Sequence, residues 1–331
     1  MRAVPTASTL LTPDQLAAVR ARSDLWGIYL AAHAWAVIIA AMAMFAWFPH
    51  VVTYIFAVML IGSRQLGLLI LMHDGAHGAL GKTPAVNRFL AQVFCAWPTL
   101  ADVRIYRAYH LKHHTRTQQA DDPDLVLTGH YPITRASLRR KLWRDISGQT
   151  GFSQRKAQFR HALGSPDQPL SERVRHYWRE LGPQTLTQAV VLLGCSWAGH
   201  AWLYVALWLV PLLTWQQVVL RIRNIAEHAV VRDADDHFGN ARTTLVSPLE
   251  RVFVAPYWVN YHLEHHLVFW VPCYRLKRLR QSLLQNGYGD RIETEAGYLA
   301  VLRKVTVDAP DDEPGERKRA SGTFASGFEA R

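Results

Sequence analysis

From Leu25 to Phe48 the chain runs twenty-four residues without a charged side chain. At about 1.5 Å of rise per residue, a helix of that length crosses a hydrocarbon core of about 30 Å. Lipid offers a spanning backbone no hydrogen-bond partner, so such a run has to fold as a helix. Pro49 and His50 break it, and Val51 to Met72 forms a second apolar stretch whose one charge is Arg64. Leu186 to Gly199 is a third, shorter run, and Ala201 to Leu220 a fourth that contains Pro211. Overall hydropathy is nevertheless close to neutral. The spans must therefore share the chain with large water-facing segments.

The expectation is an all-α integral membrane protein with four transmembrane helices, about 25–48, 51–72, 184–199 and 201–222, arranged as two hairpins. Segment 1–24 precedes them, and helices over 73–183 and 223–307 complete, as a cap, a body covering 25–307. Ala85 to Leu100 is apolar but carries Asn87, Arg88 and Gln92, so it reads as a helix lying in the interface. Arg20 and Arg22 precede the first run with no small-residue cleavage site after it, and a cleaved signal peptide is not expected. The tail 308–331 is rich in Pro, Gly, Ser and charge and is expected to be disordered.

Net charge is +11, and its position matters more than its size. Residues 131 to 180 hold eleven Lys and Arg, whereas the connections at Pro49 and His200 hold none. The positive-inside rule then puts the cap and both termini in the cytoplasm, at the inner membrane if the source is bacterial. Arg64 sits near mid-membrane, where a charge is expensive unless it faces the bundle interior or water.

The sixteen histidines are bunched. His73 and His77 follow the second run in HDGAH; His110, His113 and His114 occur in HLKHH; His262, His265 and His266 occur in HLEHH. After the fourth run, RIRNIAEH sets Asn224 and His228 four apart. On helices these spacings share a face, so each box is expected to aim its side chains at one point. If the hairpins pack together, all four segments meet just outside the hydrocarbon on the cytoplasmic side. His33, His50, His130, His161, His176, His200 and His237 lack such spacing and read as structural.

A structural zinc is satisfied by four ligands, and nine imidazoles exceed that twice over, so two ions fit the count. Imidazole suits zinc, copper, nickel and iron alike and does not name the metal. A zinc protease would need HExxH and a ferritin-like site Glu-x-x-His pairs; neither is present. Cys95, Cys195 and Cys273 lie far apart, and no CxxC, Walker loop or GxGxxG occurs. Asp74, Glu227, Glu264, Asp121, Asp122 and Asp124 have two readings, as acceptors for the far ring N–H of the histidines or as solvated acids.

From about Leu25 to Val305 the chain resembles the integral-membrane fatty acid desaturase superfamily, marked by boxes of the form HxxxH, HxxHH and HxxHH in that order. The resemblance implies a pair of irons held by His73, His77, His110, His113, His114, His228, His262, His265 and His266. Asn224 would act through water, similar to an element of stearoyl-CoA desaturases. It also implies an oxidoreductase that activates O2 against unactivated C–H bonds of a lipid, with acyl desaturation as the first expectation. Hydroxylation or ketolation of a lipid, alkane or carotenoid is the alternative within the superfamily, and a non-catalytic metal carrier the alternative outside it.

Without a flavin, nicotinamide or cluster motif, electrons must come from a separate protein such as ferredoxin with its reductase. No electron-carrier domain is expected after the third box. Arg135, Arg139, Arg140, Lys141, Arg144, Arg155, Lys156 and Arg160 suit anionic lipid heads, and part of the same face suits an acidic carrier. Nucleic acid is not an expected partner for a site held against a membrane.

Overall fold

A computed structural model of the chain describes residues 5–308. The tail from 309 on, expected to be disordered, lies outside the described residues. Helix α1 (Pro13–Arg20) opens on a cap in which Thr12 accepts from the Gln15 amide at 3.3 Å. Leu10, Leu11 and Val19 are buried, and Asn286 Nδ2 donates to the Leu10 carbonyl at 2.8 Å. The segment before the first span therefore packs onto the body.

Helix α2 (Asp24–Trp47) starts where Ser23 accepts from the Trp26 amide, and α3 (Val51–Ala76) where His50 accepts from the Val52 amide. Phe48, Pro49 and His50 join them, and the two helices pack side by side. Every residue of α3 from Ile61 to Leu68 is buried, whereas α2 shows Leu25, Ile39 and Trp47 to the outside. A helix apolar all round belongs at the centre of a bundle, and α3 is that centre. The helical stretch 84–99 buries Leu90, Ala91, Cys95 and Ala96 against α3 and exposes Phe89 and Phe94. A Cβ on Gly75 would sit 2.1 Å from that of Ala91, so only glycine allows this approach.

Helix α4 (Val103–Arg116) is capped by Asp102, whose carboxylate accepts from the Arg104 amide at 2.8 Å, and it carries the second box. Helices α5 (Arg135–Ile146) and α6 (Gln149–Ala162) follow, then α7 (Leu170–Trp197). Helical turns over Tyr204–Leu209 and Val210–Leu213 lead into α8 (Trp215–His228). Buried Arg221 ties α8 to α5 by donating from Nη2 to Asp145 Oδ1 at 2.9 Å.

Among the described residues three helices are long and apolar enough to cross a membrane: Asp24–Trp47, Val51–Ala76 and Tyr204–His228. The run expected as a span at 184–199 is not one of them. It is the outer half of α7, which begins with the charged stretch LSERVRHYWRE, so its apolar part is shorter than those of the three. That half still turns Leu186, Val190, Leu193 and Trp197 outward.

Short helices α9 (Pro248–Phe253), α10 (His262–Leu267), α11 (Leu276–Gln285) and α12 (Tyr298–Lys304) complete the chain. The fold is mostly helical without being all-α. Strands β1 (Ile133–Thr134) and β4 (Thr306–Val307) pair in parallel, as do β2 (Thr243–Leu245) and β3 (Thr294–Ala296). Strands of two or three residues show no alternation that a sequence reading detects.

Candidate metal centre

The first box ends α3, the second lies on α4, His228 ends α8 and the third box forms α10. All nine histidines converge, and they do so as two groups. His73, His77, His110, His114 and His265 make one, and His113, His228, His262 and His266 the other; within each, one nitrogen per ring lies within 4.8 Å of the rest. The expectation that each HxxHH box aims at a single point is corrected. The i and i+4 residues of each box stay together, while the i+3 residue crosses to the other group. Neighbours such as His113 and His114 point about 100° apart around a helix of 3.6 residues per turn, so they reach different centres.

In seven of the nine rings nitrogen faces nitrogen. His262 Nε2 and His228 Nε2 are 2.8 Å apart, His266 Nε2 and His262 Nε2 3.0 Å, and His113 Nε2 and His228 Nε2 3.2 Å. In the other group His114 Nε2 is 2.9 Å from His110 Nε2 and 3.0 Å from His265 Nε2. Ligands at right angles around an ion with metal–nitrogen bonds of about 2.1 Å have this separation. Neither ring nitrogen of His77 has a hydrogen-bond partner, although the residue is buried. Buried polar atoms without partners are costly, and imidazole nitrogens so placed suit a transition-metal ion.

Burial, joined by repulsion between neighbouring rings, holds His77, His110, His114, His262, His265 and His266 well below the usual imidazole range. Neutral imidazole is the form that ligates. His113 differs: burial would lower it, but the hydrogen bond to Asp122 and the charges of Asp124 and Asp122 hold it above that range.

Four of the six carboxylates singled out in the sequence stand behind the rings. Asp122 Oδ1 is 2.8 Å from His113 Nδ1, with Asp124 Oδ2 at 3.6 Å from the same atom. Glu227 Oε1 is 3.4 Å from His262 Nδ1, and Asp74 Oδ1 is 3.5 Å from His73 Nδ1. Asp74 also accepts from the Cys273 amide at 2.7 Å, which ties the chain after the third box to the first. The other two are corrected. Asp121 is exposed and accepts from Arg116 Nε at 2.7 Å. Glu264 is buried with its back to the rings, bonded to Thr243 and to Arg280 at 2.7 Å.

Asn224 lines a small cavity with Tyr106, His110, His113, His228 and His262. The sequence reading missed Arg223, which grips Glu227 through Nε at 2.6 Å and Nη2 at 2.7 Å. Its i, i+4 spacing to Glu227 is the signal that could have found it. It also missed Thr117, 3.3 Å from His266 Nδ1, and the Asn240 carbonyl, 3.3 Å from His228 Nδ1. A backbone acceptor leaves no trace in residue identity.

The fatty acid desaturase family profile matches residues 45–293. The chain is 28% identical over 298 residues to the dihydrorhizobitoxine desaturase of Bradyrhizobium elkanii, covering 87% of this chain and 83% of that protein. It is 25% identical over 291 residues to the sn-1 oleoyl-lipid 12-desaturase of Anabaena variabilis, covering 81% and 78%. A beta-carotene ketolase of Paracoccus sp. (strain PC1) is 26% identical over 228 residues, covering 66% and 75%.

Proposed function

We propose, from the premise that this chain belongs to the fatty acid desaturase family, that it is a membrane di-iron oxidoreductase introducing a double bond into a lipid acyl chain. The observation that carries this reading is the pair of convergent imidazole groups, five and four in number, at the ends of two apolar helices. Two irons bound there would supply the O2 activation that an unactivated C–H bond requires. The chain's own residues do the holding. Burial disfavours the charged form of the rings other than His113, while Asp122, Glu227 and Asp74 stand on the far Nδ1 side of their histidines.

Desaturation removes two hydrogens from the substrate and, with two electrons and two protons, reduces O2 to two waters. The electrons come from a separate carrier such as ferredoxin with its reductase, since no carrier motif occurs in the sequence. Arg139 and Arg140 are exposed on α5 beside half-exposed Lys141 and suit an acidic partner. Exposed Trp143, Ile146 and Phe152 on α5 and α6 favour a lipid surface for the rest of this region.

The body over 25–307 spans the membrane four times in this reading. The outer half of α7 serves as the third crossing in chain order, and the termini, cap and metal centre face the cytoplasm, at the inner membrane if the source is bacterial. The eleven basic residues of 131–180 support that orientation. A second reading, oxygenation of a lipid or carotenoid, is favoured by the relative that is a beta-carotene ketolase. Expression in a host followed by lipid analysis separates the two. A new double bond is the expected product, and a mono-oxygenated product without one would replace the first reading by the second. Two irons per purified chain are expected, and one zinc would overturn both.

A further inference from the structure

Arg64 lies inside the second apolar helix, nine residues before His73, which is about 13 Å of helical rise. It is 6% exposed and meets no carboxylate among the described residues. Its partner comes from the far end of the chain. Nη2 donates to the Val252 carbonyl at 2.5 Å, and Ser63 Oγ donates to the same oxygen at 2.8 Å. The guanidinium carbon stands 5.6 Å from the centre of the Tyr257 ring. That ring fills the groove above Gly67, where a Cβ would come within 2.5 Å of it, and the Tyr257 hydroxyl lies 3.0 Å from His33 Nδ1 on α2.

The segment so gripped is under backbone constraint. Tyr257 and Trp258 have φ of 52° and 59°, the left-handed region that bulky residues hold only where their surroundings impose it. The third box begins four residues later at His262. From this arrangement, and resting on the reading of the imidazoles as a metal centre, we propose that Arg64 is a positioning residue for the third histidine box. It hooks the Val252–Trp258 bend onto α3 and so sets where His262, His265 and His266 stand against His73 and His77. A charge inside a span is retained when it does work there, and a planar fork reaches a carbonyl and a ring face together as an ammonium does not.

Hydrogen exchange on the metal-free protein in nanodiscs tests the hook without reference to iron. In Arg64→Leu the amides of 254–262 are expected to exchange faster by about tenfold or more, with α2 and the first half of α3 unchanged. In the iron-loaded protein the same variant is expected to alter the spectrum of the irons. Arg64→Lys, keeping the charge and N–H donors but not the planar fork, is expected to recover part of both. Wild-type protection of 254–262 in Arg64→Leu, or a lysine variant no better than leucine, would overturn the proposal. If Arg64→Leu is not recovered from membranes, Tyr257→Leu keeps the cation and must loosen the same segment; unchanged exchange there overturns the proposal as well. A wild-type protein without iron, with the exchange effect intact, would refute the metal reading and leave the hook standing.

Discussion

The group around His228 and the group around His265 are built from one residue type and share two boxes, yet they differ in what stands behind the rings. In the four-histidine group each Nδ1 has a neighbour: Asp122 for His113, Glu227 for His262, the Asn240 carbonyl for His228 and Thr117 for His266. In the five-histidine group Asp74 is 3.5 Å from His73, His77 has no partner on either nitrogen, and His114 Nδ1 has none. His77 is instead packed between rings, its centroid 4.9 Å from those of His110 and His265 and 5.3 Å from that of Phe269. One group is oriented by acceptors and the other by crowding. Orientation by acceptors depends on a few side chains, whereas orientation by packing is spread over many.

The largest effect expected is the same for both groups. His262→Ala and His265→Ala should each abolish product formation, exceeding the roughly 10- to 100-fold loss typical of an outer partner. Both proteins should still insert, because neither residue lies in the three apolar helices. Membrane fractionation with product analysis checks this, and a variant that keeps wild-type turnover would show that its group is dispensable.

The next effect separates the groups. Asp122→Asn removes the charge 2.8 Å from His113 and should weaken metal binding by about 10- to 100-fold, whereas Asp74→Asn, with its longer 3.5 Å contact, should cost several-fold less. Chelator titration followed by metal analysis measures both, and equal losses would mean that the distances do not rank the partners.

Acid sharpens the contrast in the metal-free protein. His114 and most of its neighbours sit well below the free imidazole value of about 6.5, so between their folded and unfolded values the unfolded chain binds more protons. Their contribution to stability is present above about pH 6.5 and lost as pH falls. His113, held above its usual range, contributes in the opposite sense: its part is present at lower pH and lost as pH rises through its folded value. Tm should therefore fall from pH 7 to pH 5, more steeply in His113→Asn and less steeply in His114→Asn. Scanning fluorimetry in detergent tests this, and parallel slopes for the two variants would remove the distinction.

The smallest effect lies outside both groups. Exchanging Arg139, Arg140 and Lys141 for Glu should slow turnover with ferredoxin at low salt while leaving both irons bound. Rates that do not change would assign this part of α5 to the membrane alone.

The residues of the site were legible because the boxes are local. Four-residue spacing puts His73 with His77, His110 with His114 and His262 with His266 on any helix, whatever surrounds it. The first two long apolar helices were legible for the same reason, since apolar length is a property of a contiguous run. The later spans were less so: the helical turns before Thr214 shift the last apolar helix to Tyr204–His228, and α7 carries its expected run as a continuation of a charged helix.

Identity and local periodicity therefore specify helices long and apolar enough to cross a membrane and nine imidazoles in helically spaced boxes. They do not specify which ring joins which group, because that choice depends on where a second helix presents its own nitrogens. Glu264 adjoins His265 in sequence but turns to Thr243 and Arg280, while Asp122, nine residues from His113, reaches its ring. Arg64 likewise finds its acceptor at Val252, across 188 residues. Side chains one position apart on a helix diverge by about 100°, so sequence proximity says little about contact. The packing of α3, α4, α8 and α10 around one buried centre supplies that missing direction.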